Sequence, residues 1–253
     1  MNPKKAEKDP AYTHRMGAEH RFRFRCYPGI SCFTQCCQDV NIALTPYDVL
    51  RLKNALGIPS SEFLDKYTLV VPQKKRLLPL VLLKMNDTDK RCFFVTEKGC
   101  AVYEDRPWPC RMYPLDAADD GTYHLVTDHS RCKGLNEQEV HKIAEWLQEQ
   151  GIEVYDEMND LLSSITYTLQ IEEFKNIENP QIASMIFMSL YNLDRFREFV
   201  FKSSFLDRLF VESEKIEKIK NDDLELLKFA YDWIKFGLFG EKRFWVKDQD
   251  RNK

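Results

Sequence analysis

All eight cysteines of the chain fall before residue 133: Cys26, Cys32, Cys36, Cys37, Cys92, Cys100, Cys110 and Cys132. The stretch from Lys133 to Lys253 has none. In a reducing compartment disulfides are rare, and clustered cysteines serve more often as metal ligands or redox groups. Thiolates are soft donors that suit zinc, copper(I) and iron–sulfur clusters. A disulfide framework and a set of unrelated buried thiols are the competing readings, since free cysteine also behaves as a small hydrophobe. The grouping, and the adjacent pair Cys36-Cys37, argue against the second of these.

The compartment is read from what surrounds the cysteines. The first 19 residues are polar and lack the apolar stretch of a secretory leader. The longest apolar runs are short, as in Leu77 to Leu83 with Pro79 inside it, against the roughly 20 residues of a membrane span. A formal net charge of −3 gives no basic excess, which disfavours sequence-independent phosphate binding. The expectation is a cytoplasmic protein with neither membrane nor nucleic acid as its partner. With 253 residues, 43% of them hydrophobic, the chain can bury a core as one large domain or two small ones.

The cysteines form two groups in sequence. The first is Cys26-x5-Cys32-x3-Cys36-Cys37, with Pro28 and Gly29 allowing a tight bend. The second is Cys92-x7-Cys100-x9-Cys110, followed by Cys132. A four-thiolate site drawing on both would tie distant segments together and contribute directly to folding. The spacing is neither the paired C-x2-C of a zinc ribbon nor the C-x2-C-x2-C of bacterial ferredoxins, so it does not choose the metal. Arg25, Arg91, Arg111 and Arg131 each adjoin a cysteine, and Arg106 is close. Their charge would offset that of the thiolates. His124 and His129 lie between Cys110 and Cys132 as further candidate donors.

Elsewhere the pattern is mixed α and β. Thr45-Pro46-Tyr47-Asp48 reads as a helix start and Gly57 as its end, with Val49, Leu52 and Leu56 as the apolar stripe. Pro59 to Tyr67 reads as a second helix. Strands are expected over 69–71, 77–85, 92–95 and 122–126, and a short one at Phe22 and Phe24. The prolines at 107 and 109 predict a fixed loop presenting Cys100 and Cys110. From Asn136, a candidate cap, a helix is expected with Val140, Ile143, Ala144 and Leu147 on one face. More helices are expected over 154–175, 181–201, 204–219 and 222–238, and fraying after Phe244. The expected architecture is α+β. It comprises a flexible tail over 1–20, a small cysteine-rich, metal-bound α+β domain over 21–134, and an all-helical C-terminal region over 135–253.

Three segments carry a family resemblance: Cys32-Phe33-Thr34-Gln35-Cys36-Cys37, Cys100 to Pro107, and Cys110-Arg111-Met112-Tyr113-Pro114. Together they resemble the bacterial cysteine-cluster proteins of the C-x2-C-x2-C-C type, described as zinc- or iron-chelating domains. The segment from Cys100 to Pro114 is the most specific part. In the first segment the gaps before Cys36-Cys37 are five and three, where the family usually has two and two, and this leaves Cys26 the weakest counterpart. The resemblance spans about residues 22–134 and implies that the eight cysteines hold zinc or an iron–sulfur cluster, for instance 4Fe–4S. Flagellin lysine methylases are similar more distantly, which implies an iron–sulfur enzyme as the alternative, although no glycine-rich loop marks a methyl-donor site. A redox or metal sensor acting on a protein partner through the helical region is the third reading.

Overall fold

Thr45 caps the first long helix as its chemistry requires. Its Oγ1 accepts the N–H of Asp48, and the Asp48 carboxylate accepts the N–H of Thr45 at 2.8 Å. This reciprocal box satisfies two donors that a helix start leaves unpaired. Gly57, with φ +64°, ends the helix in the left-handed conformation that costs glycine least. The computed structural model describes residues 14–73, 76–171 and 179–247.

Along the chain come strand β1 (Arg21–Arg23), helices α1 (Pro46–Leu56) and α2 (Ser60–Tyr67), then strands β2 (Thr68–Val71), β3 (Leu80–Leu83), β4 (Val95–Thr96) and β5 (Gly99–Cys100). Helix α3 (Trp108–Met112) precedes strands β6 (Leu115–Ala117), β7 (Tyr123–Leu125) and β8 (Val140–Lys142). Then follow α4 (Ile143–Glu149), α5 (Glu153–Thr168), α6 (Pro180–Tyr191), α7 (Leu193–Lys202) and α8 (Phe205–Arg208). The order closes with β9 (Leu209–Phe210), α9 (Ser213–Asn221), α10 (Asp223–Phe239) and β10 (Trp245–Val246). All strand pairs are two-stranded and antiparallel. The fold is α+β with a helical C-terminal region. Among the described residues, no helix is long and apolar enough to cross a membrane.

The chain divides into two compact units. One comprises residues up to 41 together with 85–155, and it contains every cysteine. The other comprises 42–84 together with the residues from 156 onward. In the first unit β1 pairs with β8, Phe22 opposite His141. Phe22 and Phe24 are buried, and both meet Trp146 edge-to-face, with centroids 5.8 and 5.2 Å apart. Such pairs add about 1 kcal/mol each beyond area burial. Met112, Leu115, Cys132, Leu135 and Ile143 complete this core. Of the tail expected over 1–20, residues 1–13 lie outside the described residues; Met16 is buried and bridges Tyr123.

Three local expectations are corrected. The helix expected from Asn136 starts only at Ile143. Residues 133–136 form a 3-10 turn, and Val140 to Lys142 pair with β1. The backbone hydrogen bonds of that ladder win over helical spacing, and Val140 points outward. Pro107 and Pro109 do not exclude a helix, because they flank the first turn of α3, where no intrahelical N–H is needed. The single helix expected over 181–201 is broken at Asn192 (φ −109°, ψ 66°) into α6 and α7. The expected residues 172–175, and the tail from 248 on, lie outside the described residues.

In the second unit, α2 borrows its cap. Pro59 offers no side-chain acceptor, and Asp194 of α7 accepts both the N–H and the Oγ–H of Ser60, at 2.6 and 2.7 Å. Burial opposes the charge on Asp194, but these hydrogen bonds and Lys53 outweigh it and hold the pKa below the usual carboxylate value. A folded-state pKa lowered in this way contributes stability above the unfolded pKa and loses it as pH falls through the folded one. Asp194→Ala should therefore cost about 1 kcal/mol at neutral pH. In urea titrations the gap should hold above about pH 4 and close as the solution becomes more acid.

Candidate metal centre

The turn between Cys26 and Cys32 is built as Pro28 and Gly29 predict, with Gly29 at φ +108° and the Ile30 N–H bonded to the Tyr27 carbonyl. Cys36 and Cys37 sit on a single 3-10 turn, Gln35–Cys37. Among the described residues, the non-glycine residues with left-handed backbone are Thr34, Asp39 and Lys90. The first two flank that turn, and the Asp39 N–H donates to the Lys90 carbonyl at 2.8 Å. Such conformations cost roughly 1 kcal/mol or more each and concentrate at functional sites. Here they bring the Cys36-Cys37 turn against the segment before Cys92.

Each remaining cysteine is fixed by a local element. The Cys92 N–H bonds to the Cys37 carbonyl at 2.8 Å. Cys100 lies on β5, opposite Val95. Cys110 lies on α3, its N–H bonded to the Pro107 carbonyl. Cys132 is buried in the core, and its N–H bonds to the Asp128 carbonyl. None of the eight is in a disulfide, and Cys26 and Cys36 are the exposed ones.

The sulfurs influence one another. Partial loss of solvent around its sulfur pushes the Cys26 thiol up to about 11, although the residue as a whole is exposed, with further upward contributions from Cys132, Cys32 and Cys37. Burial likewise pushes Cys92 up to about 11, with Cys37 and Cys100 adding to it. Burial also raises Cys100 and Cys132. In the Cys36–Cys37 pair, 4.0 Å apart, Cys36 holds its proton toward Cys37 and is raised. Cys37 is lowered by that hydrogen bond and by the Arg91 guanidinium.

Opposing these upward shifts is a set of donors aimed at sulfur, which the sequence reading missed. The Lys133 N–H reaches Cys32 Sγ at 3.2 Å. Backbone amides of Phe94 and Val95 favour the Cys92 thiolate, that of Val102 favours Cys100, and those of Gly134 and Leu135 favour Cys132. The Tyr113 hydroxyl donates to Cys132 as well. The recurring relation is an amide two residues beyond the cysteine. Its mark in sequence is faint, because the donor is backbone.

The arginines divide by role. Arg91 acts on Cys37, and Arg106 on Cys100 and Cys110. Arg25 instead pairs with Glu139 at 3.4 Å and lies over the Tyr27 ring. Arg111 is buried and gives its guanidinium to three carbonyls: Arg106 at 3.0 Å, Gln150 at 2.6 Å, and Glu104. It also stacks on Tyr155. It thus clamps the loop between Cys100 and Cys110. A lysine ammonium cannot reproduce this planar fork. Arg111→Lys should cost about 2 kcal/mol by orphaning buried carbonyls, whereas Arg25→Lys, exposed, should cost less than about 0.5 kcal/mol. Equal denaturation midpoints for the two would refute the clamp. His124 and His129 bond to Arg15 and Asn136 respectively.

The donor set fits a soft metal. It consists of thiols held by short elements, with amides and guanidinium groups placed to stabilise their charged form. The Cys36–Cys37 separation is close to the roughly 3.8 Å between two sulfurs bound to one zinc. Among the described residues, no group of three or more His, Cys, Asp or Glu side chains is arranged as it stands to hold a metal ion. Closing one would be driven by the free energy of metal binding itself.

No curated protein and no solved structure matches the chain. A family model does match residues 25–146, from just before Cys26 to beyond Cys132: CxxCxxCC, described as "Putative zinc- or iron-chelating domain". Residues 25–146 thus match the CxxCxxCC family model, and metal binding is the function that this family description supports.

Proposed function

We propose that Cys26, Cys32, Cys36, Cys37, Cys92, Cys100, Cys110 and Cys132 hold zinc or an iron–sulfur cluster, and that the bound metal serves to build this unit or to be stored and delivered. The observation that carries the reading is the set of backbone N–H groups directed at four of the sulfurs, those of Cys32, Cys92, Cys100 and Cys132. Isolated core thiols would need no such donors, whereas thiolate ligands do. Bound metal, whether zinc or iron–sulfur, would neutralise thiolate charge and link the segments that carry it. The reading places the protein in the cytoplasm, where thiols stay reduced.

A second reading, an iron–sulfur enzyme similar to flagellin lysine methylases, draws support from the exposure of Cys26 and Cys36. A centre reached by solvent on that side suits chemistry better than a closed structural site does. The helical region, with Phe210, Trp245 and Val246 exposed on the β9–β10 pair, is the surface we assign to a protein partner in a sensing role.

Anaerobic purification with metal analysis and a visible spectrum tests the proposal. A brown protein with iron and labile sulfide would establish the cluster. A colourless protein with stoichiometric zinc would establish zinc. Folded, metal-free protein with paired cysteines would overturn both.

A further inference from the structure

We infer that the eight sulfurs form two separate metal-binding sets, one built on Cys26, Cys32 and Cys132 and the other on Cys37, Cys92 and Cys100, with Cys36 and Cys110 completing them. The inference rests on the cysteines being ligands and goes further by saying which of them act together.

Two backbone networks define the sets. In the first, the Arg25 N–H bonds to the Gly134 carbonyl at 3.1 Å, and the Lys133 N–H bonds to Cys32 Sγ at 3.2 Å. The segment just after Cys132 is therefore laid directly on the loop that carries Cys26 and Cys32. The approach is close enough to demand glycine: a Cβ on Gly134 would stand 2.7 Å from the Arg25 carbonyl oxygen. In the second, the Cys92 N–H bonds to the Cys37 carbonyl at 2.8 Å, and Gln38 bridges Arg91. The β4–β5 hairpin then folds Cys100 back toward Cys92, with the Ala101 N–H bonded to the Phe94 carbonyl at 2.8 Å.

The two networks are joined along the chain by the short run from Cys32 to Cys37. Within it Thr34 adopts a left-handed conformation (φ +63°), which turns the chain between the two cysteines. The first set thus draws on the segment around Cys132, and the second on the hairpin carrying Cys92 and Cys100. The count agrees. A closed thiolate site for zinc uses four donors, so eight thiols make two, with Cys36 and Cys110 completing the triplets.

The test uses the full-length protein as purified, with its metal. A chelator is added, and the thiols released over time are trapped by alkylation and located by mass spectrometry. Cleavage before aspartate leaves Cys92 and Cys100 on residues 89–104 and Cys132 alone on residues 128–155, so the two sets report separately. Two kinetic steps are expected, with Cys32 following Cys132, and Cys100 following Cys92. A single step shared by Cys92 and Cys132 would overturn the partition. Cys132→Ser should lose about half of the bound metal while Cys92 and Cys100 stay protected. Loss of all protection in a variant whose circular dichroism is unchanged would also overturn it. If that variant does not fold, the chelator series on the unmodified protein decides. Immediate alkylation of all eight thiols in a metal-free protein would sink the ligand reading itself, a result distinct from the single step.

Discussion

Removing the metal with a chelator under reducing conditions is expected to unfold the cysteine-bearing unit. Its strand pairs are two to three residues long, and its core is a modest cluster around Phe24, Met112 and Trp146. Two-stranded sheets of this size are marginal alone. A structural zinc site supplies an apparent 10–16 kcal/mol at neutral pH, about as much as a whole domain's net stability. Without metal, left-handed residues such as Thr34 remain as uncompensated costs. Hydrogen exchange read peptide by peptide is the measurement. Protection should disappear across residues 85–155 and persist in α7 and α10, whose buried faces include Phe196, Leu226 and Phe229. Full protection of β6, β7 and α4 in the metal-free protein would show that the metal is not structural.

The candidate site was legible where side chains carry it. The count and grouping of cysteines, and the Cys100 to Pro114 segment, pointed to the unit that contains all eight. What escaped was contributed by the backbone. The amides beyond Cys92, Cys100 and Cys132 have no residue type to announce them. The left-handed turns at Thr34, Asp39 and Lys90 fall on residues that rarely adopt them. The arginines illustrate the complementary error. Adjacency to cysteine in sequence suggested one shared role, yet Arg111 points its fork at carbonyls while Arg106, four residues before Cys110, acts on the sulfurs.

For the fold, local chemistry was a good guide wherever it was self-contained. The Thr45–Asp48 box and Gly57 are complete within one helix, and α1 begins and ends where they place it. The reading failed where a partner distant in sequence decides. Val140 to Lys142 are strand because β1, more than a hundred residues earlier, offers them a ladder. Residues 42–84 lie among the cysteines in sequence but cluster with the C-terminal helices, because Leu52, Phe63 and their neighbours are core residues of that unit. The cap of α2 is likewise supplied by Asp194, 134 residues away.

Lys53→Met is expected to destabilise the second unit by about 3–5 kcal/mol. Lys53 stands in the last turn of α1, where a cation also suits the helix dipole. Its side chain is only 7% exposed, and its Nζ lies 2.7 Å from Asp223 Oδ2 and 3.6 Å from Asp194 Oδ1. Arg197 pairs with Asp223 from the other side, so two cations balance two carboxylates. Methionine fills similar volume, so packing changes little, but the group is left with one uncompensated negative charge at a site where water screens poorly. The cost falls mainly on Asp223, 18% exposed; Asp194, at 40%, retains solvent and contributes little. The double variant Lys53→Met with Asp223→Asn separates the causes. If the loss comes from the orphaned charge, removing it should recover part of the stability, and the two single effects should sum to more than the double. Strict additivity in urea denaturation would mean instead that Lys53 contributes through the packing of its stem.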